Sequence, residues 1–336
     1  MPHLKEIGEF GFIDRISKGC LIRPDSVLKG IGDDAAAFVT ESGQVTLVTT
    51  DLLVERVHFL REATSGFNLG YKALAVNLSD IAAMGGTPRD AFVSIGIPDD
   101  CTIEYLDGVF AGMKSLASEF DVNILGGDTT RSKSDLIINI ALAGSVQASE
   151  ILYRHTAKAG DIITTTGCLG DSRAGLHLIL EGIPPDSKPY QELIDSHLLP
   201  KPYIREGRFL AGLGSVHAAI DVSDGLSSDL RHILVASGVG ASLVSETIPL
   251  SDHLNLFCSR FNFDPVEFAL AGGEDYTLIC TVAFDKAKET CLRYKEAFGT
   301  PLHIIGEITR SRKMELVRPD GTKTEIRPTG WDHFKV

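Results

Sequence analysis

The sequence predicts a mixed α/β (α+β) fold in two domains, residues 1–147 and 148–336. Three observations lead there. The 336 residues are enough for two domains. Short β-branched runs alternate with helix-length stretches along the chain. The stretch over residues 147–158 reads as a junction between two such series. With 43% hydrophobic residues and 23% charged ones, the chain also has ample material for packed cores.

Residues 4–19 alternate charged and apolar groups as a short amphipathic helix does. Gly30-Ile31-Gly32-Asp33-Asp34 follows, with a strand beyond it. Adjacent acids beside glycines are a turn whose Asp side chains bond the backbone, or they hold a ligand; the third glycine of a dinucleotide fingerprint is missing. Residues 44–50 are β-branched and predict a strand ending at Thr49-Thr50-Asp51, a place suited to a metal ligand, with His58 seven residues on. Residues 70–84 predict a helix that is apolar round nearly its whole circumference and therefore buried. It nevertheless carries Asn77 and Asp80, three apart on one face. A buried carboxylate costs several kcal/mol unless paired or bound to a cation, so Asp80 meets either a basic side chain or a metal ion. Strand 91–97, helix 103–120 and strand 122–125 come next. The loop Gly126-Gly127-Asp128-Thr129-Thr130-Arg131-Ser132 then combines glycines that let the backbone approach an anion, a carboxylate for a divalent cation and an arginine able to fork onto phosphate oxygens. A strand over 136–146 closes the first half.

In the second half, a strand over 161–166 feeds Gly167-Cys168-Leu169-Gly170-Asp171-Ser172 and a helix over 173–181, a glycine-rich helix N-terminus of the kind that holds anions. A helix over 203–213 and a strand over 217–221 lead to Asp221-Val222-Ser223-Asp224-Gly225-Leu226 and a helix over 227–237. Asp221 and Asp224 flank one turn, within reach of one cation; Ser223 or Ser227 also suits a helix cap. Gly272-Gly273-Glu274-Asp275-Tyr276 precedes a strand over 277–282. A helix over 286–298 and three strands complete the chain, whose only tryptophan is Trp331.

Net charge is −13, from 45 acids against 32 bases, with no basic stripe, which argues against nucleic acid as a partner. The six cysteines form no C-x-x-C pair and read as reduced thiols of a cytoplasmic protein. The opening residues have no apolar core of a signal peptide. The longest apolar run, near 137–146, is too short to span a bilayer; no membrane association is expected.

Acids beside glycines or hydroxyls recur at Asp33/Asp34, Asp51, Asp128, Asp221/Asp224 and Glu274/Asp275, and Asp80 joins them from inside an apolar helix. Any one of these is compatible with a turn. Together they suggest convergence on one site, and oxygen-only ligands favour Mg²⁺ or Ca²⁺ over softer metals. Several Mg²⁺ ions gathered by carboxylates suit phosphate groups, so metal-assisted phosphoryl transfer is the leading expectation. A metal-binding or nucleotide-sensing module without catalysis is the rival from another class.

The segments Gly30–Ala35, Thr49-Thr50-Asp51 with His58-Phe59, residues 71–85, Gly126–Arg131, Asp221–Leu226, Gly272–Tyr276 and Gly330-Trp331-Asp332-His333-Phe334 resemble the thiamine-monophosphate kinase family of the aminoimidazole-ribonucleotide-synthetase-like superfamily. The resemblance implies a two-domain architecture, dimerisation through the N-terminal domain, and transfer of the γ-phosphoryl group of ATP to thiamine monophosphate. It implies metal ligation by Asp34, Thr49, Thr50, Asp51, Asp80, Asp128, Asp221 and Asp224. Contacts to ATP fall to Gly127, Asp128, Arg154 and Ser223, and contacts to the thiamine substrate to His58, Glu274 and Trp331. The accepting phosphate oxygen is already largely ionised near neutrality, its second pKa being roughly 6, so no residue is expected to act as general base. Other superfamily branches activate amides or selenide. The selenide branch wants a reactive cysteine, and Cys20 lacks a glycine-rich setting.

Overall fold

The computed structural model describes residues 11, 13, 24–40, 44–185 and 188–327. Most of the expected helix over 4–19, and the tail with Trp331, lie outside the described residues.

Two sheets frame the molecule. The first contains β1 (Val27–Lys29), β2 (Ala36–Val39), β3 (Val45–Val54), β4 (Thr87–Ile97), β5 (Asn123–Arg131) and β6 (Ile137–Val146), in the order β1-β2-β3-β6-β4-β5. Neighbours are antiparallel except β4 and β5. A parallel pair needs a crossover, and α2 (Ile103–Glu119) supplies it.

The helix α1 (Gly66–Ala83) packs between this sheet and the second half of the chain. It starts where the Ser65 hydroxyl accepts a bond from the Asn68 N–H at 3.1 Å, an N-cap that satisfies one of the orphan donors of the first turn. Past its first turn, where Phe67 is exposed, it is buried nearly all round: Leu69, Leu74, Leu78 and Ile81 are covered, and so are Lys72, Asn77 and Ser79. At Gly70 α1 meets α2 so closely that a Cβ would lie 1.7 Å from the Val109 carbonyl oxygen.

The second sheet runs β13-β12-β9-β11-β7-β10-β8. Its strands are β7 (Ile162–Thr165), β8 (Val216–Asp221), β9 (Gly240–Val244), β10 (Leu278–Val282), β11 (His303–Thr309), β12 (Met314–Val317) and β13 (Lys323–Glu325). Only β9 and β12 pair in parallel. Helices α3 (Asp171–Leu180), α4 (Lys188–Leu198), α7 (Asp252–Phe261) and α8 (Pro265–Ala271) bury Leu178, Leu193, Phe257 and Phe268 in a core of their own. α6 (Leu226–Ser237) lays Leu226, Leu230 and Ile233 on the sheet. α5 (Ile204–Gly212) and α9 (Ala287–Phe298) extend the core that begins under the first sheet, through Leu210 and Tyr294. No helix among the described residues is long and apolar enough to cross a membrane.

Three differences from the sequence expectation matter for the site. β3 does not end at Thr50; it continues through Asp51 to Val54 because it pairs with β6 along its whole length, from Val45↔Val146 to Val54↔Ile137. The segment 126–131, expected as a loop, is strand, because pairing with β4 keeps it extended. Gly127 makes that pairing feasible: its φ is +149°, and a Cβ there would lie 1.7 Å from the Val93 carbonyl oxygen. Finally, α4, α7, α8 and β9 have no counterpart in the sequence expectation, although α4 and α7 are amphipathic at helical spacing, and α4 proves to supply a site residue.

Candidate functional site

The turn after β1 brings Asp33 and Asp34 to the base of the first sheet, α1 brings Asp80 in its last turn, and β8 ends at Asp221. Carboxylate oxygens of Asp34, Asp80 and Asp221 lie within 4.8 Å of one another. Among the described residues this is the one group of three acids, histidines or cysteines close enough to share an ion. Asp34 and Asp221 are buried and Asp80 is half-buried. Thr49, on the core-facing side of β3, donates its hydroxyl to Asp80 Oδ2, and Ser79 donates to Asp221 Oδ2 at 2.5 Å. Asp51, two residues on along the same side of β3, adds a fourth carboxylate close enough to act on Asp80.

Crowding of like charges shows in the acidities. Asp80 is pushed well above the usual carboxylate range by desolvation first, then by Asp51, Asp221 and Asp34, against the Thr49 hydrogen bond. Desolvation and Asp34 likewise raise Asp221 against Ser79 and Arg154. Desolvation and Asp34 raise Asp51 to about 6. Arg154 answers part of this charge: its Nε donates to Asp34 Oδ2 at 3.0 Å and its Nη2 to the other oxygen. The two adjacent acids part company here. Asp33 takes Lys29 at 3.3 Å and the Arg154 backbone N–H at 3.3 Å, pinning the turn, while Asp34 points into the cluster. Desolvated, mutually repelling, oxygen-only donors fit a hard divalent cation, which removes the repulsion and takes up the free lone pairs.

A second wall is made by two loops tied backbone to backbone. The Glu274 N–H donates to the Ser223 carbonyl at 2.8 Å, and the Tyr276 N–H to that of Val222 at 2.8 Å. The turn after β8 is fixed by Asp229, whose Oδ2 accepts from the N–H groups of Asp224 at 3.0 Å and Gly225 at 2.9 Å. Sequence reasoning missed Asp229; the available signal was an acid in the first turn of α6, where the helix dipole favours one.

The Glu274-Asp275 pair does not join the carboxylate cluster. Glu274, at φ +64°, turns to Lys72 of α1, with 2.8 Å from Oε1 to Nζ, and to His197 of α4, with 3.3 Å from Oε2 to Nδ1. Burial works to raise its pKa, but Lys72, His197 and His58 overcome this and hold it below the usual range. Asp275 accepts from the N–H groups of Gly170 at 2.7 Å and Ser172 at 3.2 Å. The glycine-rich helix start is therefore taken up by an internal carboxyl group, raised by burial to about 8 against those two bonds.

Of the residues singled out from sequence, the fold thus brings Asp34, Thr49, Asp51, Asp80 and Asp221 together with Arg154, and sets His58 within electrostatic reach of Glu274. The His58 ring is oriented by the Val54 N–H, which donates to Nδ1 at 3.0 Å. Thr50 faces the opposite side of β3, bonded to Asn139 Nδ2 at 2.8 Å. Gly127 and Asp128 stand on the exposed edge strand β5, with Asp128 accepting from the Thr129 N–H at 3.0 Å, outside the three-carboxylate group. Arg131 pairs with Asp99 at the surface. Ser223 and Asp224 sit in the turn after β8, and Trp331 lies outside the described residues.

Comparison with known proteins adds the following. Residues 32–146 match the family described as AIR synthase related protein, N-terminal domain, and residues 158–318 match its C-terminal domain. The chain is 36% identical over 332 residues to the thiamine-monophosphate kinase of Aquifex aeolicus, covering 98% of this chain and 99% of that one. It is 35% identical over 333 residues to that of Bacillus subtilis, covering 97% and 99%. The solved structure of AaThiL complexed with AMPPCP and TMP superposes with a TM-score of 0.86 at 33% identity, covering 99% of both chains.

Proposed function

The chain belongs to the thiamine-monophosphate kinase family of AIR-synthase-related proteins, and from that premise we propose that it transfers the γ-phosphoryl group of ATP to thiamine monophosphate, giving ADP and thiamine diphosphate. The observation that carries the reading is the convergence of Asp34, Asp80 and Asp221 from both halves of the chain, in a protein similar end to end to AaThiL, which was solved with AMPPCP and TMP.

The residues account for the chemistry as follows. The acceptor is a phosphate monoester oxygen, ionised in most molecules at pH 7 because its second pKa is roughly 6; no side chain has to remove a proton. The obstacle is the approach of two polyanions. Asp34, Thr49, Asp51, Asp80 and Asp221 and, by family resemblance, Thr50, Asp128 and Asp224 would hold several Mg²⁺ ions, which would supply positive charge to offset this repulsion and stabilise the transferring group. Arg154, fixed on Asp34, places a permanent guanidinium beside the same phosphates. Gly127, Asp128 and Ser223 complete the ATP contacts. At the far end Glu274 pairs with the cationic thiamine ring system, with His58 beside it, and Trp331 offers a ring face to the cation. Transfer is in line, directly between the two substrates, without a phosphoenzyme.

The same reading places the active protein in the cytoplasm as a homodimer, with residues 1–147 as the dimerising, metal- and ATP-binding domain and 148–336 completing the substrate site. The face of the first sheet opposite the core supports the dimerisation, for it exposes Leu52 at 52% and Phe92 at 46%. Incubating the purified protein with ATP, Mg²⁺ and thiamine monophosphate should yield ADP and thiamine diphosphate in equal amounts. Nucleotide binding without thiamine diphosphate, or ATP hydrolysis indifferent to thiamine monophosphate, refutes the proposal.

A further inference from the structure

Lys72 is the charged residue the proposed reaction leaves unexplained. It sits on α1 with only 2% of its surface exposed. A buried ammonium is no aid to folding in itself: an apolar residue of the same volume stabilises a core as well or better. Its contacts are specific. Nζ lies 2.8 Å from Glu274 Oε1 and 3.4 Å from His197 Nε2. Burial and the neighbouring Lys72 charge push His197 down to about 4, against Glu274, so the ring is neutral. Because Lys72 has only protons to offer, Nε2 accepts and Nδ1 carries the ring proton. That proton faces Glu274 Oε2 at 3.3 Å and the Ser172 hydroxyl at 3.0 Å. Ser172 in turn gives its backbone N–H to Asp275. Both acids of the Glu274-Asp275 pair are therefore gripped from α1, α3 and α4, and the non-glycine left-handed backbone at Glu274 is held in place by these bonds. One side of Glu274 stays open, its side chain being 25% exposed.

We propose that Lys72, acting through His197 and Ser172 as well as directly, is a positioning residue that fixes the Glu274 carboxylate for the cationic end of thiamine monophosphate. The inference rests on the reading of Glu274 as a contact for the thiamine ring system. α1 gives the arrangement a ruler. Lys72 and Asp80 are eight residues apart on one unbroken helix, about 12 Å at 1.5 Å per residue. One rigid element thus sets the distance between the carboxylate cluster and the carboxylate that anchors the opposite end of the substrate. An acceptor lacking a cationic ring gains nothing from Glu274, so this spacing is a specificity device.

The test is a double-mutant cycle on the full chain, read as separate KM values for thiamine monophosphate and ATP. Glu274→Gln and Lys72→Met should each raise KM for thiamine monophosphate about 10–100-fold, the size expected for losing a charge-assisted bond, with KM for ATP within about twofold. The double variant Lys72→Met/Glu274→Gln should be no worse than Glu274→Gln alone, because Lys72 acts through Glu274. That double variant also removes both charges together, so it keeps the measurement available should Lys72→Met alone fail to fold. Ser172→Ala, a milder change, should raise the same KM about 2–10-fold. Additive effects in the double variant, or equal rises in both KM values, overturn the proposal in favour of a purely structural lysine. A Glu274→Gln variant with unchanged KM for thiamine monophosphate overturns the assignment of Glu274 itself and this inference with it. A large effect of Glu274→Gln, with none from Lys72→Met and Ser172→Ala, overturns only the role of Lys72.

Discussion

Replacing Asp80 by asparagine removes an ionisable carboxyl group from the cluster and changes little else in shape. If Asp80 served a salt bridge, its loss would strand a buried cation and destabilise the fold by roughly 3–5 kcal/mol. The structure points the other way. Two unit charges 4.8 Å apart, the outer bound for this cluster, repel by about 3.5 kcal/mol at an effective dielectric constant of 20. Arg154 offsets part of this at Asp34. The neighbouring Asp51 is moved from 3.8 to about 6, by burial first and by Asp34 second; at 1.36 kcal/mol per pK unit, burying and crowding that charge costs about 3 kcal/mol at pH 7. Losing the Thr49 hydrogen bond to the carboxylate returns about 1 kcal/mol. The metal-free Asp80→Asn variant should therefore be more stable than the parent by about 1–2 kcal/mol, or roughly 1.5–3 °C in Tm for a chain of this size. Its kcat should fall about 10²–10³-fold or more, the scale for losing a charge-stabilising group at a transition state. Mg²⁺ should raise the Tm of the parent and have much less effect on the variant. Thermal unfolding in chelator and in Mg²⁺, with thiamine diphosphate production per folded molecule, reads all three. A variant destabilised in chelator that retains parental activity per folded molecule refutes the reasoning and makes Asp80 a structural acid.

Two further outcomes follow from the same geometry. Asp51, Asp80 and Asp221 have raised pKa values in the folded chain, so between about pH 4 and 6, and above that range for the latter two, the folded state holds protons the unfolded chain has released; stability in chelator should fall as pH rises through this window. Mg²⁺ should flatten that slope, leaving the contribution of Asp275, raised to about 8; a Tm profile in chelator that rises from pH 4.5 to 7 contradicts the proposed crowding. Gly127→Ala places a Cβ 1.7 Å from the Val93 carbonyl oxygen at a φ of +149°, and should destabilise the fold by more than the roughly 1 kcal/mol of an ordinary Gly→Ala strain, with β5 parting from β4. Amide exchange across residues 123–131 equal to that of the parent would show that the strand pairing does not depend on this glycine.

Much of this protein is written locally in its sequence. The buried helix with a carboxylate inside it was legible because apolar residues cover its circumference, and α1 indeed lies between the two halves of the chain. The strand–acid–glycine–helix pattern at Asp221 was legible because strand ends and helix caps have strong residue preferences. Local patterns could not say how far strands run. Asp51 and Asp128 look like loop residues until β6 and β4 pair beside them; pairing is a long-range event that overrides turn-like composition.

Nor could sequence sort the acids into partnerships. Six acidic segments look alike along the chain, yet only folding separates Asp33, clasped by Lys29, from Asp34, aimed at Asp80 and Asp221. The same folding withdraws Glu274 and Asp275 into a different network, with Lys72 from 202 positions upstream and His197 from the buried face of a helix 77 positions upstream. Residue type and helix or strand period are properties of neighbours in sequence, and these the chain states outright. Which charge faces which is decided by the three-dimensional path that brings α1, β3, β8 and the 272–276 loop to one place, and by the low dielectric there, which makes each of those encounters energetically large.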